Sequence, residues 1–325
     1  MVNVRKEIGV DWLSITGPEA SAPDVAALLE TFESRADWDD SGPGASYSQR
    51  LFLPCGAKLF LGRTDGSGRF LLELNGGACA TLGADVVHRV GQTAMMGGRC
   101  TRLDLRCDVQ GESVTLLDDV IASVDAGHLC KVRTHSRFVQ HAIRGGVTGL
   151  GQYLGSMQSP RFVRVYDKGL EQGTKPARSW IRWEAELKGD FATPAACDVF
   201  SADLADLVAT ASPHMFHLAD FRIGAADSDV PSTLPRPQWW ADLLRDVADA
   251  DVRVDPSNPC FDAWREAWAH QYGRVLVAMA RRAGCSVGNM AEFCLAGARP
   301  SVATERNPVV PEGVAAFKAW LRSSR

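Results

Sequence analysis

Three segments of this chain carry acids, bases and a tyrosine at a spacing of two. In TRLDLRCDV, Arg102, Asp104, Arg106 and Asp108 alternate with Leu103, Leu105 and Cys107. In RFVRVYDKG, Phe162, Arg164, Tyr166 and Lys168 share one register. In SWIRWEAELKG, Arg182, Glu184, Glu186 and Lys188 alternate with Ile181, Trp183, Ala185 and Leu187. Residues two apart on a strand share a face, so each segment reads as a strand with one apolar and one charged side. RFLLELN adds Glu73 and Asn75 to such a face. Pairing these strands in one sheet would gather the charged faces into one open surface. Carboxylates held that close repel unless cations intervene, and arginines, a metal ion or both could intervene. A solvated face laced with cross-strand salt bridges is the plain alternative.

The chemistry such a face could support is phosphoryl transfer. A tyrosine hydroxyl can attack a phosphodiester and form a phosphotyrosyl bond. With a phenol pKa of ~10 it needs a neighbouring base or cation. Arg164 and Lys168 flank Tyr166 in the same register. A hard divalent ion such as Mg²⁺ or Mn²⁺ takes carboxylate oxygens and can polarise the scissile phosphate. Asp104, Asp108, Glu184 and Glu186 are the available ligands. Asp104 and Asp108 would lie about 13 Å apart on a regular strand, so Glu184 with one aspartate is the better pair. Arg161, Arg164 and Arg182 are candidates to bind phosphates. His214 and His217 have an H-x-x-H spacing without further ligands, which reads as ordinary core or surface histidine.

The elements that must position these residues fall in two halves. VDWLSIT reads as a strand, LFLPCGAKLFLG and RFLLELNG as a hairpin across TDGSG, and GQYLGSM as a further strand. Ala78–Gln92 and SVTLLDDVIASVDAG read as helices, the second closed by Gly127. Arg133, Arg137 and Arg144 lie around a Gly-containing segment that could track a DNA backbone. From about Thr193 the pattern turns helical: DVFSADLADLVATA reads as one helix, and QWWADLLRDVADA and DAWREAWAHQYGRVLVAMARRAG as two more. Prolines 231, 235 and 237 suggest a linker between 228 and 237. Leu276–Leu295 has a helix–turn–helix flavour, with a packed helical hairpin as the simpler reading. The fold class is therefore α+β: a strand-rich domain over residues 1–192 with a mainly antiparallel sheet, followed by a helical C-terminal region over 193–325.

Composition bounds the rest. At 46% hydrophobic and 23% charged residues, the 325-residue chain can bury a substantial core. Nine cysteines without a C-x-x-C pair support neither a disulfide framework nor a zinc site. No apolar run suits a spanning helix and the N-terminus lacks a signal-like stretch, so the expectation is a cytoplasmic protein with no membrane partner. The net charge of -4 argues mildly against a nucleic-acid binder, but residues 131–190 hold 11 Lys+Arg against 5 Asp+Glu. A local basic segment can bind phosphates in an acidic chain.

The string GQYLGSMQSPRFVRVYDKGLEQG resembles the signature of the replication initiation factor (Rep_trans) family, rolling-circle initiators of plasmids and filamentous phages with related relaxases. The pattern falls on Tyr153, Gly155, Ser156, Arg161, Arg164, Tyr166, Asp167, Lys168 and Glu171. VDWLSITG, FLLELNGGACATL, TRLDLRCDV and IRWEAEL resemble further family segments in order, so the resemblance covers about residues 9–190. It implies site-specific DNA nicking with Tyr166 as nucleophile and a 5′-phosphotyrosyl intermediate. It also implies a divalent ion (Mg²⁺ or Mn²⁺) on Asp104, Asp108 and Glu184, with Lys168 assisting. Tyr153, in its Y-L-G-S setting, reads as a strand end with a packing role. The partner implied is origin DNA, single-stranded or hairpin, with a host helicase and a second copy of the chain as further partners. Conjugative relaxases share this chemistry. A non-catalytic DNA binder and a water-using metal nuclease are the readings from other classes.

Overall fold

The computed structural model describes residues 5–44, 46–173 and 176–245. The helical segment after residue 245 and the helix–turn–helix reading lie outside the described residues.

The chain opens with a long strand, β1 (Arg5–Pro18), and a helix, α1 (Ala22–Glu30). Four strands follow: β2 (Asp39–Asp40), β3 (Tyr47–Phe52), β4 (Lys58–Arg63) and β5 (Arg69–Leu74). Helix α2 (Gly76–Met95) starts at Asn75, whose side chain accepts from the Ala78 N–H at 2.8 Å. Strand β6 (Arg99–Gln110), helix α3 (Leu116–Asp125) and strands β7 (Leu129–Cys130), β8 (His135–His141), β9 (Val147–Leu154) and β10 (Arg161–Asp167) come next. A one-turn helix, α4 (Lys168–Gln172), leads to β11 (Trp180–Lys188). Helices α5 (Ala192–Ser201) and α6 (Leu207–Phe216), strand β12 (Asp220–Phe221) and helix α7 (Gln238–Leu244) complete the described chain.

Ten strands form one sheet in the order β2-β3-β4-β5-β1-β6-β11-β10-β9-β8, and every pairing is antiparallel. The fold is thus α+β, a large antiparallel sheet with several helices on the C-terminal side. The alternation read from TRLDLRCDV sorts its two faces. Leu103, Leu105 and Cys107 share one hydrophobic core with Val87 and Val90 of α2, Val199 and Phe200 of α5 and Met215 of α6. Helices α5 and α6, beyond residue 192, therefore pack on the same core as the sheet. The fully buried Trp183 of β11 stacks on Trp240 of α7 with centroids 5.3 Å apart, so that tryptophan belongs to the core.

Several local readings differ from the structure. The stretch DVFSADLADLVATA is two helices, because the chain turns extended at Ala202 and Asp203 before Leu204–Asp206 winds as a 3₁₀ turn. The segment carrying Arg137, which the sequence reading assigned to no strand, is the edge strand β8, paired with β9. Strand β10 ends at Asp167, and Lys168 is the first residue of α4.

Candidate active site

The polar face of the central strands brings most of the candidate residues together. Register sets Arg182 opposite Asp108, Glu184 opposite Arg106 and Glu186 opposite Asp104 between β11 and β6. Between β10 and β11 it sets Arg164 opposite Glu184 and Tyr166 opposite Arg182. Asp108, Glu184 and Glu186 thus each have an arginine across or diagonal to them, while Asp104 has Arg102 two residues away on its own strand.

Tyr166 is 8% exposed, and its hydroxyl donates to Glu184 Oε2 at 3.0 Å. The other Glu184 oxygen is held by Arg164. The same Arg164 nitrogen lies 3.6 Å from Asp104 and 3.8 Å from Glu186, so one guanidinium bridges three carboxylates. Arg164 Nε is buried without an acceptor among the described residues. Arg102 grips Asp104 with two hydrogen bonds, of 2.9 and 2.6 Å. Asp108 accepts from Arg182 at 2.7 and 2.9 Å, from Trp180 at 2.7 Å and from Arg106.

Burial and these partners pull the proton affinities in different directions. Burial pushes the Tyr166 phenol above its ordinary range and Glu184 adds to the rise, while Arg182 opposes it. Burial pushes Asp104 up to about 7, against the pull of Arg102 and with help from Glu184 and Glu186. At Asp108 burial acts the same way, but Arg182 and Arg106 outweigh it and hold the carboxyl below its ordinary value.

A cavity of about 250 Å³ opens over Tyr166 and Glu184, lined also by Asp11, Gly151's neighbour Leu150, Phe138, Arg164, Lys168 and Glu171. Gly151 faces Tyr166 across the β9–β10 pairing, and a Cβ there would sit 2.4 Å from the Phe138 ring and 2.8 Å from Tyr166 Cβ. Only glycine lets those two rings flank the strand. Lys168 Nζ sits 5.6 Å from the centre of the Tyr166 ring and pairs with Glu171. Asp167, fully buried, caps α4 by accepting from Leu170 N–H at 2.9 Å and also holds Arg178 N–H at 2.7 Å. Tyr153 lies in the same cavity between Phe138 and Phe162, with centroids at 4.8 and 5.3 Å.

Asp11 is the site residue that sequence reasoning missed. It accepts from Arg182 Nη1 at 2.6 Å. Simple alternation puts it on the face of Leu13 and Ile15, both fully buried, but the β1–β6 register slips between Val10 and Trp12 and turns it to the polar side. Arg161, a candidate phosphate binder, does not lie beside the tyrosine. It lies at the other end of β10 with its guanidinium 4.5 Å from the Phe191 ring centre.

The expected metal site is not formed by these residues as they stand. Among the described residues no group of three or more His, Cys, Asp or Glu is placed to hold an ion. The physical reason is that Asp104, Asp108 and Glu184 are already committed to Arg102, Arg182 and Arg164. The intervening cations are guanidinium groups. His214 binds Asp198 at 2.8 Å and is buried, in keeping with an ordinary core histidine. No helix among the described residues is long and apolar enough to cross a membrane.

Comparison with known proteins places this geometry in context. The family model described as replication initiation factor matches residues 98–288, which span β6, β10 and β11 and so the whole Tyr166 face except Asp11. The structure of a rolling circle replication initiator protein from Geobacillus stearothermophilus is similar in fold, with a TM-score of 0.60 and 18% identity, over 74% of this chain and 96% of that one. A search of curated proteins finds no match.

Proposed function

Because this chain belongs to the replication initiation factor family, we propose that it initiates rolling-circle replication by nicking one DNA strand with Tyr166. The observation that carries this reading is the Tyr166 hydroxyl donating to Glu184 at 3.0 Å within a cavity that Arg164 and Lys168 also line. A hydroxyl with a carboxylate acceptor and flanking cations is the arrangement an activated oxygen nucleophile needs.

The residues divide the work as follows. The scissile phosphate enters the cavity and is held by Arg164 and Lys168, whose charges also offset the negative charge that develops on it. Glu184 takes the phenolic proton as the Tyr166 oxygen bonds to phosphorus. The bond from phosphorus to the 3′-oxygen breaks, and that oxygen leaves with a proton from solvent as a free 3′-OH able to prime synthesis. The 5′ end stays on Tyr166 as a phosphotyrosyl ester. A new 3′-OH attacking that ester reverses the step and closes the circle. Arg182 and Asp108 fix the neighbouring strand, and Asp11 is anchored to the same arginine. Since Asp104, Asp108 and Glu184 do not fit a shared divalent ion, no step is assigned to one.

The test is incubation of the protein with supercoiled and single-stranded DNA of its own replicon, followed by denaturing electrophoresis. A nicked product carrying covalently bound protein is expected. Cleavage without an adduct would indicate a water-using nuclease, and binding without cleavage a DNA-binding protein on this fold.

A further inference from the structure

A second cavity, of about 450 Å³, lies at the turn between β9 and β10, away from the tyrosine. Its lining includes Lys131, Arg133 and Arg161 and the hydroxyl residues Thr134, Ser156 and Ser159, with no acid. Among the described residues none of the three cations pairs with a carboxylate. Lys131 touches His217 at 3.5 Å and Arg161 covers the Phe191 ring. That sets the cavity apart from the Tyr166 face, where every arginine is neutralised.

The backbone is shaped to keep this arrangement. Lys131 is held at φ 70°, a left-handed conformation that costs a long side chain energy and that collects at ligand-binding positions. Gly155, at φ 94°, starts the turn and donates its N–H to Thr134 O at 2.7 Å, which ties the turn to the cationic segment. Ser156 and Ser159 each accept a backbone N–H, from Gln158 and Arg161, both at 3.3 Å. A hydroxyl that accepts still has its own hydrogen to donate. No described acceptor takes either one. Three cations without a described carboxylate partner and two serine hydroxyls with a hydrogen to donate, around an acid-free cavity, suit a phosphate group.

We infer that this cavity binds a backbone phosphate of the DNA strand, a few nucleotides from the one cut at Tyr166. Arg161 and Tyr166 are five residues apart on β10, a span of roughly 17 Å, and the odd spacing sets them on opposite faces of the sheet, so the DNA strand would pass around the end of β10 between them. This gives Arg161 a role that its distance from the tyrosine denies it in the cut itself. The inference rests on the nicking reading for the identity of the ligand. A free phosphate is the other source of the same chemistry.

The test measures binding of a fluorescent mixed-sequence single-stranded 20-mer to the full chain between 50 and 200 mM NaCl. The variants are Arg133→Gln, Lys131→Asn (Asn tolerates the left-handed backbone) and, as a charge-matched control on α2, Arg89→Gln. Each lost contact to single-stranded DNA should flatten the slope of log K against log salt by about 0.7. Arg133→Gln and Lys131→Asn are expected to flatten it so, and Arg89→Gln to leave it unchanged. Slopes that match the control overturn the inference. So does a thermal shift with inorganic phosphate that Arg133→Gln abolishes while the DNA slopes stay fixed, because the site then serves a free anion. Parallel adduct assays separate the two readings. An adduct with unchanged slopes defeats this site alone, and flattened slopes without an adduct defeat the nickase alone.

Discussion

Replacing Glu184 with Gln keeps the side chain's shape and removes its capacity to take a proton. In the native site Glu184 is 2% exposed, accepts the Tyr166 hydroxyl at 3.0 Å and holds Arg164. General-base assistance is worth roughly 10²- to 10⁴-fold, so single-turnover cleavage at pH 7 should fall by at least about 100-fold. Stability should change less. Leaving a buried charge without any partner costs about 3–5 kcal/mol, but Arg164 keeps two further carboxylates within 4 Å, Asp104 at 3.6 Å and Glu186 at 3.8 Å. About 1–2 kcal/mol is then expected, including the lost tyrosine hydrogen bond. The pH dependence separates catalysis from structure. Glu184 is one of the groups that raise the phenol's proton affinity, so its neutralisation makes the phenolate easier to form. Cleavage by Glu184→Gln should climb steadily as pH rises towards 10, and the gap to the native protein should narrow. The assay is cleavage of a single-stranded replicon oligonucleotide by excess protein across that pH range. A loss of less than about threefold, or a loss that stays constant with pH, would refute the general-base role.

Three more outcomes follow from the same geometry. Arg182→Met takes two hydrogen bonds from buried Asp108 but leaves it Arg106 and Trp180, so it should cost about 1–3 kcal/mol in urea unfolding, still more than Arg35→Met on the surface. Asp104 binds its proton more tightly in the folded chain than in the unfolded one, so between about pH 4 and 7 its contribution to stability falls as pH rises; Asp104→Asn should remove that slope from the stability profile. Arg164 occupies the carboxylates that a divalent ion would need, so Arg164→Ala should bind Mn²⁺ more tightly than the native chain by electron paramagnetic resonance titration, and equal affinities would show that the guanidinium is not the competitor.

What was legible in the sequence was what period two controls. Leu103, Leu105 and Cys107 against Asp104, Arg106 and Asp108 announced one buried and one charged face, and the structure keeps both. What was not legible was register. Which cation each acid meets depends on Arg164 lying opposite Glu184 and Arg182 opposite Asp108, and no pattern within a single strand encodes that. The metal expectation arose there: the acids and the arginines were both visible, but their pairing was not. Asp11 was hidden by a one-residue bulge, which moves a side chain to the face that alternation denies it. Lys168 was placed by extending β10 one residue too far, past the point where Asp167 caps α4. Strand β8 was missed because its side chains are mostly exposed and His135–His141 lacks clear alternation.

The most direct measurement maps the covalent bond. The native protein, trapped with replicon DNA, would be digested with nuclease and trypsin and its peptides analysed by mass spectrometry. Cleavage after Arg164 and Lys168 isolates Tyr166 in the peptide 165–168, while Tyr153 falls in 145–161. A nucleotide on 165–168, with no adduct formed by Tyr166→Phe, is the expected result. A nucleotide on 145–161, or an adduct that survives Tyr166→Phe, would contradict the assignment of Tyr166 as the nucleophile.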